Sequence, residues 1–166
     1  SFKFFSLLKH LDILSLPPLL SYNTFLSNEK FSFKSIKEIK KYKWKKISCG
    51  IFALSSTFRE LKKEDFSLDN PRHLRILKKN LFKSIDHVDS FLNFLKENKV
   101  GAAVFSDPGY VGQGEMFEIL TNKNIPCYQF FMSVVDNKII FKKYFKSNKK
   151  NHFDKISDKK WKYLLK

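Results

Sequence analysis

Residues 100–130, VGAAVFSDPGYVGQGEMFEILTNKNIPCYQF, decide how this chain is read. A short apolar run, Val100 to Phe105, stops at Asp107-Pro108-Gly109. A glycine-rich turn with one aromatic follows, Tyr110-Val111-Gly112-Gln113-Gly114. Glu115 then opens a helix-like stretch to Asn122, and a second apolar run begins at Ile125. Strand, glycine loop, helix and strand in that order predict a βαβ unit of an α/β protein. Ligands of such folds sit at the carboxyl ends of the strands, so the chemistry is expected around Asp107 to Glu115.

Outward from this unit, the composition supports one domain. The chain has 166 residues, 19 of them Phe, with few Gly and Pro, so it can bury a single core but not two of ordinary size. Lys and Arg total 32 against 16 acidic residues, a formal net charge of +16. Arg occurs only at positions 59, 72 and 75. Lys is a diffuse point charge, whereas base readout and bidentate phosphate clamps favour Arg. Two explanations stand: an anionic partner (nucleic acid, an acidic membrane surface or phosphorylated small molecules), or a coding bias that fills solvated positions with Lys. Cys49 and Cys127 lie far apart without metal-ligand spacing, in apolar strand-like runs where buried free thiols are common; a reducing, cytoplasmic compartment fits. No signal peptide is visible, and no apolar stretch approaches the ~20 residues that cross a bilayer. The chain begins with Ser and ends on Lys166 inside a helical pattern, which suggests a piece of a longer protein.

Upstream, residues 1–46 form a helical, basic lead-in. Residues 2–15 are amphipathic, Pro17-Pro18 ends that element, and KSIKEIKKYKWKK (34–46) is a basic segment whose Ile36, Ile39 and Tyr42 share a face. Lysines interleaved with Tyr42 and Trp44 admit a nucleic-acid reading; a packed surface helix is the simpler one. Ile47 to Leu54 reads as a strand ending in a Ser55-Ser56-Thr57 turn, with Arg59 just beyond it. Asp69-Asn70-Pro71 starts a helix over Arg72 to Asn98, whose length suggests two helices or a bend near Ser84 to Asp89. His73 and His87 read as surface or capping residues. Downstream, Ile125 to Val135 and Lys138 to Phe145 are apolar runs joined at Asp136-Asn137 as a hairpin. Ser157 caps a terminal helix carrying Trp161, Leu164 and Leu165.

Catalytic templates return little. The glycine loop has neither Walker A nor dinucleotide spacing, and no triad or metal set is present. Its glycines still allow close backbone approach, and the following helix start offers amides to an anionic or polyhydroxyl ligand. Tyr110 can stack on a sugar face, and Asp107 and Glu115 can accept hydroxyl hydrogen bonds or act as general base. The competing account is a tight turn at Asp107-Pro108-Gly109 with Glu115 in its dipole-favoured first turn.

Four segments taken together resemble a family: CGIFALSSTFRE (49–60), FSDPGYVGQGEMFEIL (105–120), IIFKKYF (139–145) and NHFDKISDKKW (151–161). They are similar to the amino-terminal part of bacterial capsule and surface-polysaccharide biosynthesis proteins of the glycosyltransferase type. Phe153 stands where that pattern has Pro. The resemblance implies a GT-B-like enzyme whose amino-terminal domain shapes the acceptor side while a carboxy-terminal domain binds the nucleotide-sugar donor. It implies an α/β, three-layer Rossmann-like domain with a mainly parallel sheet and a late β-hairpin. It places Asp107 and Glu115 as catalytic candidates, and Ser56, Arg59, Tyr110, Gly114, Lys143, Tyr144 and His152 as substrate-binding ones. No cofactor is expected in this chain itself. A glycan or lipid-linked acceptor is the implied partner, and the resemblance implies work at the inner face of the plasma membrane. The alternative is a small basic, non-catalytic RNA- or ribosome-associated protein using the 34–46 and 142–150 segments.

Overall fold

In a computed structural model, the structure describes residues 31–62, 65–132 and 139–149. The elements expected at 2–15 and after Ser157, the turn at Asp136-Asn137, and His152 lie outside the described residues.

The elements follow the order α1 (Ile36–Lys41), α2 (Cys49–Leu61), α3 (Pro71–Glu97), β1 (Ala103–Phe105), α4 (Gln113–Asn122), β2 (Cys127–Met132) and β3 (Ile139–Tyr144). Helix α1 is short and starts at Ser35, whose hydroxyl accepts from the Glu38 amide at 3.3 Å. Ile39 is its buried anchor. Lys45 and Lys46 then form a two-residue turn, closed by an antiparallel bridge between Trp44 and Ile47.

The apolar run Ile47 to Leu54, expected as a strand, belongs to helix α2. Cys49, Gly50, Ala53, Leu54, Thr57 and Leu61 are buried at helical spacing, and the Thr57 hydroxyl donates back to the Ala53 carbonyl at 2.7 Å. An apolar run of this length without alternation fits a buried helix as well as a buried strand. Helix α3 is continuous, with no break between Ser84 and Asp89. Asn70 caps it by accepting from the Arg72 and His73 amides at 2.9 and 3.4 Å, and Pro71 follows in the first turn. Leu77, Leu81, Ile85 and Val88 form its core stripe, interrupted by two buried polar residues, Asn80 and Ser84. Asn80 donates to the Thr57 hydroxyl at 3.2 Å and so pins α3 to α2. His73 is buried, not superficial: Nδ1 accepts from the Ser67 amide at 3.1 Å and the ring stacks on Phe66.

The sheet has three strands in the order β1-β2-β3, β1 parallel and β3 antiparallel to β2. Phe105 pairs with Gln129, and Cys127 with Tyr144. Alternation turns Phe105 and Tyr144 toward α4, where both rings meet Phe117 edge-on at 5.6 and 5.2 Å. The opposite face leaves Val104, Phe130 and Phe141 exposed. The three-layer Rossmann-like expectation is therefore corrected. Among the described residues the fold is a mixture of four helices and one small three-stranded sheet, with as many antiparallel as parallel pairings. The misassigned run at 47–54 explains much of the difference, because a strand there would have extended the sheet beyond β1.

Candidate functional site

The site begins where β1 ends. Gln113, in the first turn of α4, folds its side chain back over the strand end. Its Oε1 accepts from the amides of Ser106 at 3.1 Å and Asp107 at 2.9 Å. From below, Tyr144 Oη donates to Gln129 Oε1 at 3.3 Å, and Gln129 Nε2 donates to the Ser106 carbonyl at 3.4 Å. The loop then turns at Gly112, whose φ of +101° favours glycine. The Gly114 amide donates to the Tyr110 carbonyl at 2.8 Å.

Helix α2 supplies the other wall. Ser56 Oγ accepts from the Val111 amide at 2.9 Å. One turn further along, the Arg59 guanidinium lies over the Tyr110 ring, 4.7 Å from its centroid, and Nη1 stands 3.8 Å from Asp107 Oδ2. Both charged side chains are more than half exposed, so this pair contributes orientation more than stability. Ser56, Arg59, Asp107 and Tyr110, about fifty positions apart in the chain, thus converge on one surface. An exposed carboxylate, an exposed guanidinium and a phenol ring are offered together there.

Gly114 and Glu115 lie beneath the loop, not in it. A Cβ at Gly114 would stand 2.3 Å from the Phe52 ring, so glycine is what lets α4 approach α2 this closely. Glu115 is fully buried. Its Oε2 accepts from the Gly112 amide at 2.7 Å, and its Oε1 accepts a short hydrogen bond from Ser84 Oγ on α3. Burial raises its carboxyl from the ordinary value of 4.5 to about 7, while the Ser84 and Gly112 hydrogen bonds pull the other way. Glu115 therefore positions the loop and is sealed from any substrate arriving there. Asp107 is the exposed carboxylate.

The remaining candidates are elsewhere. Tyr144 is a core residue that supports Ser106 through Gln129. Lys143, its neighbour, projects from the opposite face of the sheet over the Tyr128 and Phe145 rings at 5.3 and 4.9 Å. The loop amides proposed for an anion are in part already used: Ser106, Asp107, Val111, Gly112 and Gly114 all donate within the protein. What this surface offers is therefore mainly side chains, those of Ser56, Arg59, Asp107 and Tyr110.

Burial pushes the thiols of Cys49 and Cys127 up to about 11 and about 12, so neither is a ready nucleophile at neutral pH. No group of His, Cys, Asp and Glu able to hold a metal ion occurs among the described residues. No helix among them is long and apolar enough to cross a membrane. Sequence reasoning missed Gln113, Gln129 and Ser84. Ser84 had a signal, a polar residue inside the Leu77-Leu81-Ile85-Val88 stripe. Gln113 and Gln129 had none, because their roles depend on loop geometry and strand register.

Comparison with protein-family models, curated proteins and solved structures found no match to this chain.

Proposed function

We propose that the Asp107 to Tyr110 loop, held against Ser56 and Arg59, is the acceptor-facing surface of a glycosyltransferase-like protein of surface or capsular polysaccharide biosynthesis. The observation that carries this reading is the convergence of two of the four resembling segments. Ser56 and Arg59 from one meet Asp107, Tyr110 and Val111 from the other. The chemistry suits a sugar hydroxyl. Asp107 is the carboxylate placed to accept its proton, Tyr110 offers an aromatic edge to a sugar ring, and Arg59 adds positive charge toward departing phosphate. The nucleotide-sugar donor belongs to a further domain in this scheme, so the chain alone is expected to bind acceptor and to transfer nothing. The RNA-associated alternative loses its stacking platform, since Tyr42 packs edge-on to Phe31 and Phe33, and Trp44 Nε1 donates to Asp89 at 2.8 Å.

Amide chemical-shift mapping with a panel of neutral and acidic oligosaccharides tests the proposal. Shifts are expected at Asp107 to Val111 and along Ser55 to Arg59. Asp107→Asn and Arg59→Ala should each weaken that binding about tenfold, the loss of roughly one charge-assisted hydrogen bond. Saturating oligosaccharide that leaves these amides unmoved would remove the reading.

A further inference from the structure

The turn between α1 and α2 carries an unusual choice of residues. Trp44 and Ile47 exchange both backbone hydrogen bonds, at 3.0 and 2.8 Å, across only two residues, Lys45 and Lys46. Both sit at positive φ, 45° and 69°. That is the pattern of a type I′ turn, where Asn-Gly is the relaxed sequence and a pair of lysines is strained. Strain of this kind persists where the surroundings hold it and tends to mark function. Here the surroundings are visible: Asp89 on α3 takes Lys45 Nζ at 2.8 Å and the Trp44 indole at the same distance. The turn leaves Lys46 exposed.

The charged residues of the 34–46 stretch are almost wholly basic. Lys34, Lys37, Lys40, Lys41, Lys43, Lys45 and Lys46 are all exposed. The single acidic residue of the stretch, Glu38, has its carboxylate on the Lys34 amide at 2.7 Å. On α1, Lys37 and Lys41 lie on the side opposite buried Ile39 and Lys40 flanks it, while Ile36, on the Ile39 side, is partly exposed at the edge of these lysines. We propose that Lys37, Lys40, Lys41, Lys43 and Lys46 form a docking surface for a lipid bilayer bearing anionic headgroups.

Three features favour a bilayer over a nucleic acid. The stretch 31–46 contains no Arg, so it lacks the planar fork that grips phosphates and bases bidentately. Its rings are turned inward, which removes base stacking. A field of lysines with a partly exposed isoleucine at its edge suits a headgroup layer, where the attraction is diffuse and grows with each added cation. The surface is separate from the acceptor loop, and the proposal stands or falls independently of it.

The test is co-sedimentation of the full chain with vesicles of phosphatidylcholine alone or mixed equally with phosphatidylglycerol. Binding is expected only to the mixed vesicles and should fall steeply as salt rises. Lys37→Gln/Lys40→Gln/Lys41→Gln should reduce it on the order of 100-fold. Lys78→Gln/Lys96→Gln/Lys99→Gln removes the same charge from exposed positions on and just beyond α3 and should bind as the parent does. Lys45→Asn/Lys46→Gly relaxes the turn: its Tm should rise by about 5 °C while vesicle binding falls, which excludes misfolding as the cause. Equal loss in the two triple variants would reduce the effect to net charge and overturn the proposal. So would binding to neutral vesicles, or complete displacement from mixed vesicles by single-stranded RNA at matched phosphate.

Discussion

Replacing Gly50 with alanine is expected to destabilise the protein by about 3 kcal/mol or more, among the largest effects of any single methyl group here. Gly50 sits in the first turn of α2 where α1 crosses it, and its amide donates to the Tyr42 carbonyl at 3.1 Å. A Cβ there would stand 1.7 Å from the Ile39 carbonyl oxygen and 2.8 Å from its carbon. Both atoms are backbone, and Ile39 is the buried anchor of α1, so neither can swing aside. The helix pair must separate or α1 must leave. Gly114→Ala provides the contrast: the atoms nearest its new methyl belong to the Phe52 ring, a side chain that can rotate, and a loss of about 1–3 kcal/mol is expected. Thermal unfolding followed by circular dichroism reads both. A Gly50→Ala variant melting within about 2 °C of the parent would mean that α1 does not pack on α2 as described.

The second large effect is a dependence of stability on pH that belongs to Glu115. Its folded-state carboxyl titrates at about 7 against an ordinary 4.5, so the folded protein holds this proton more tightly than the unfolded chain. A raised value stabilises at low pH. The contribution is complete below the unfolded value, and it is lost as pH rises through about 7, when an ionised carboxylate must stay buried. The displacement from 4.5 to about 7 corresponds to roughly 3 kcal/mol. His87 works in the opposite direction: burial lowers its value, and its buried Nδ1 has no hydrogen-bond partner among the described residues, so protonation on acidification costs stability. Comparison with Glu115→Gln in the same buffers isolates the carboxyl. The remaining groups near it, Ser84 from α3, Cys49 from α2 and Glu118 on α4, stay in place in that variant. The parent should gain stability relative to the Gln variant as pH falls from about 8 to about 5. Parallel stability curves for the two proteins would show that the buried carboxyl does not titrate in that window.

Much of the region around the glycine loop was legible. Val100 to Phe105 and the run from Ile125 announced β1 and β2 by their apolar content and abrupt polar ends, and Asn70-Pro71 announced the start of α3. The second strand assignment failed for an identifiable reason. Ser55-Ser56-Thr57 looked like a turn closing an apolar run, yet Thr57 returns its hydroxyl to Ala53 and Ser56 faces the loop, both compatible with a continuing helix. Losing that strand removed the layered sheet from the architecture while leaving Ser56 and Arg59 beside Asp107. The chemical grouping survived because proximity depends on which elements pack, not on their type. Glu115 could not be told from Asp107 by sequence: both are acidic residues flanking a glycine turn, and only depth separates them. Tyr144 and Lys143 divide for a similar reason, since strand register decides which neighbour enters the core.

Helix α3 has a consequence beyond packing. It is one unbroken rod of 27 residues. Ser84 on it holds Glu115 beneath the Asp107 to Tyr110 loop, and Asp89 holds the lysine turn. Asp89 follows Ser84 by five positions along the helix, an axial distance of about 7.5 Å. Whatever surface the turn rests on, the loop is carried at a fixed standoff from it, set by a stiff spar rather than by a tether.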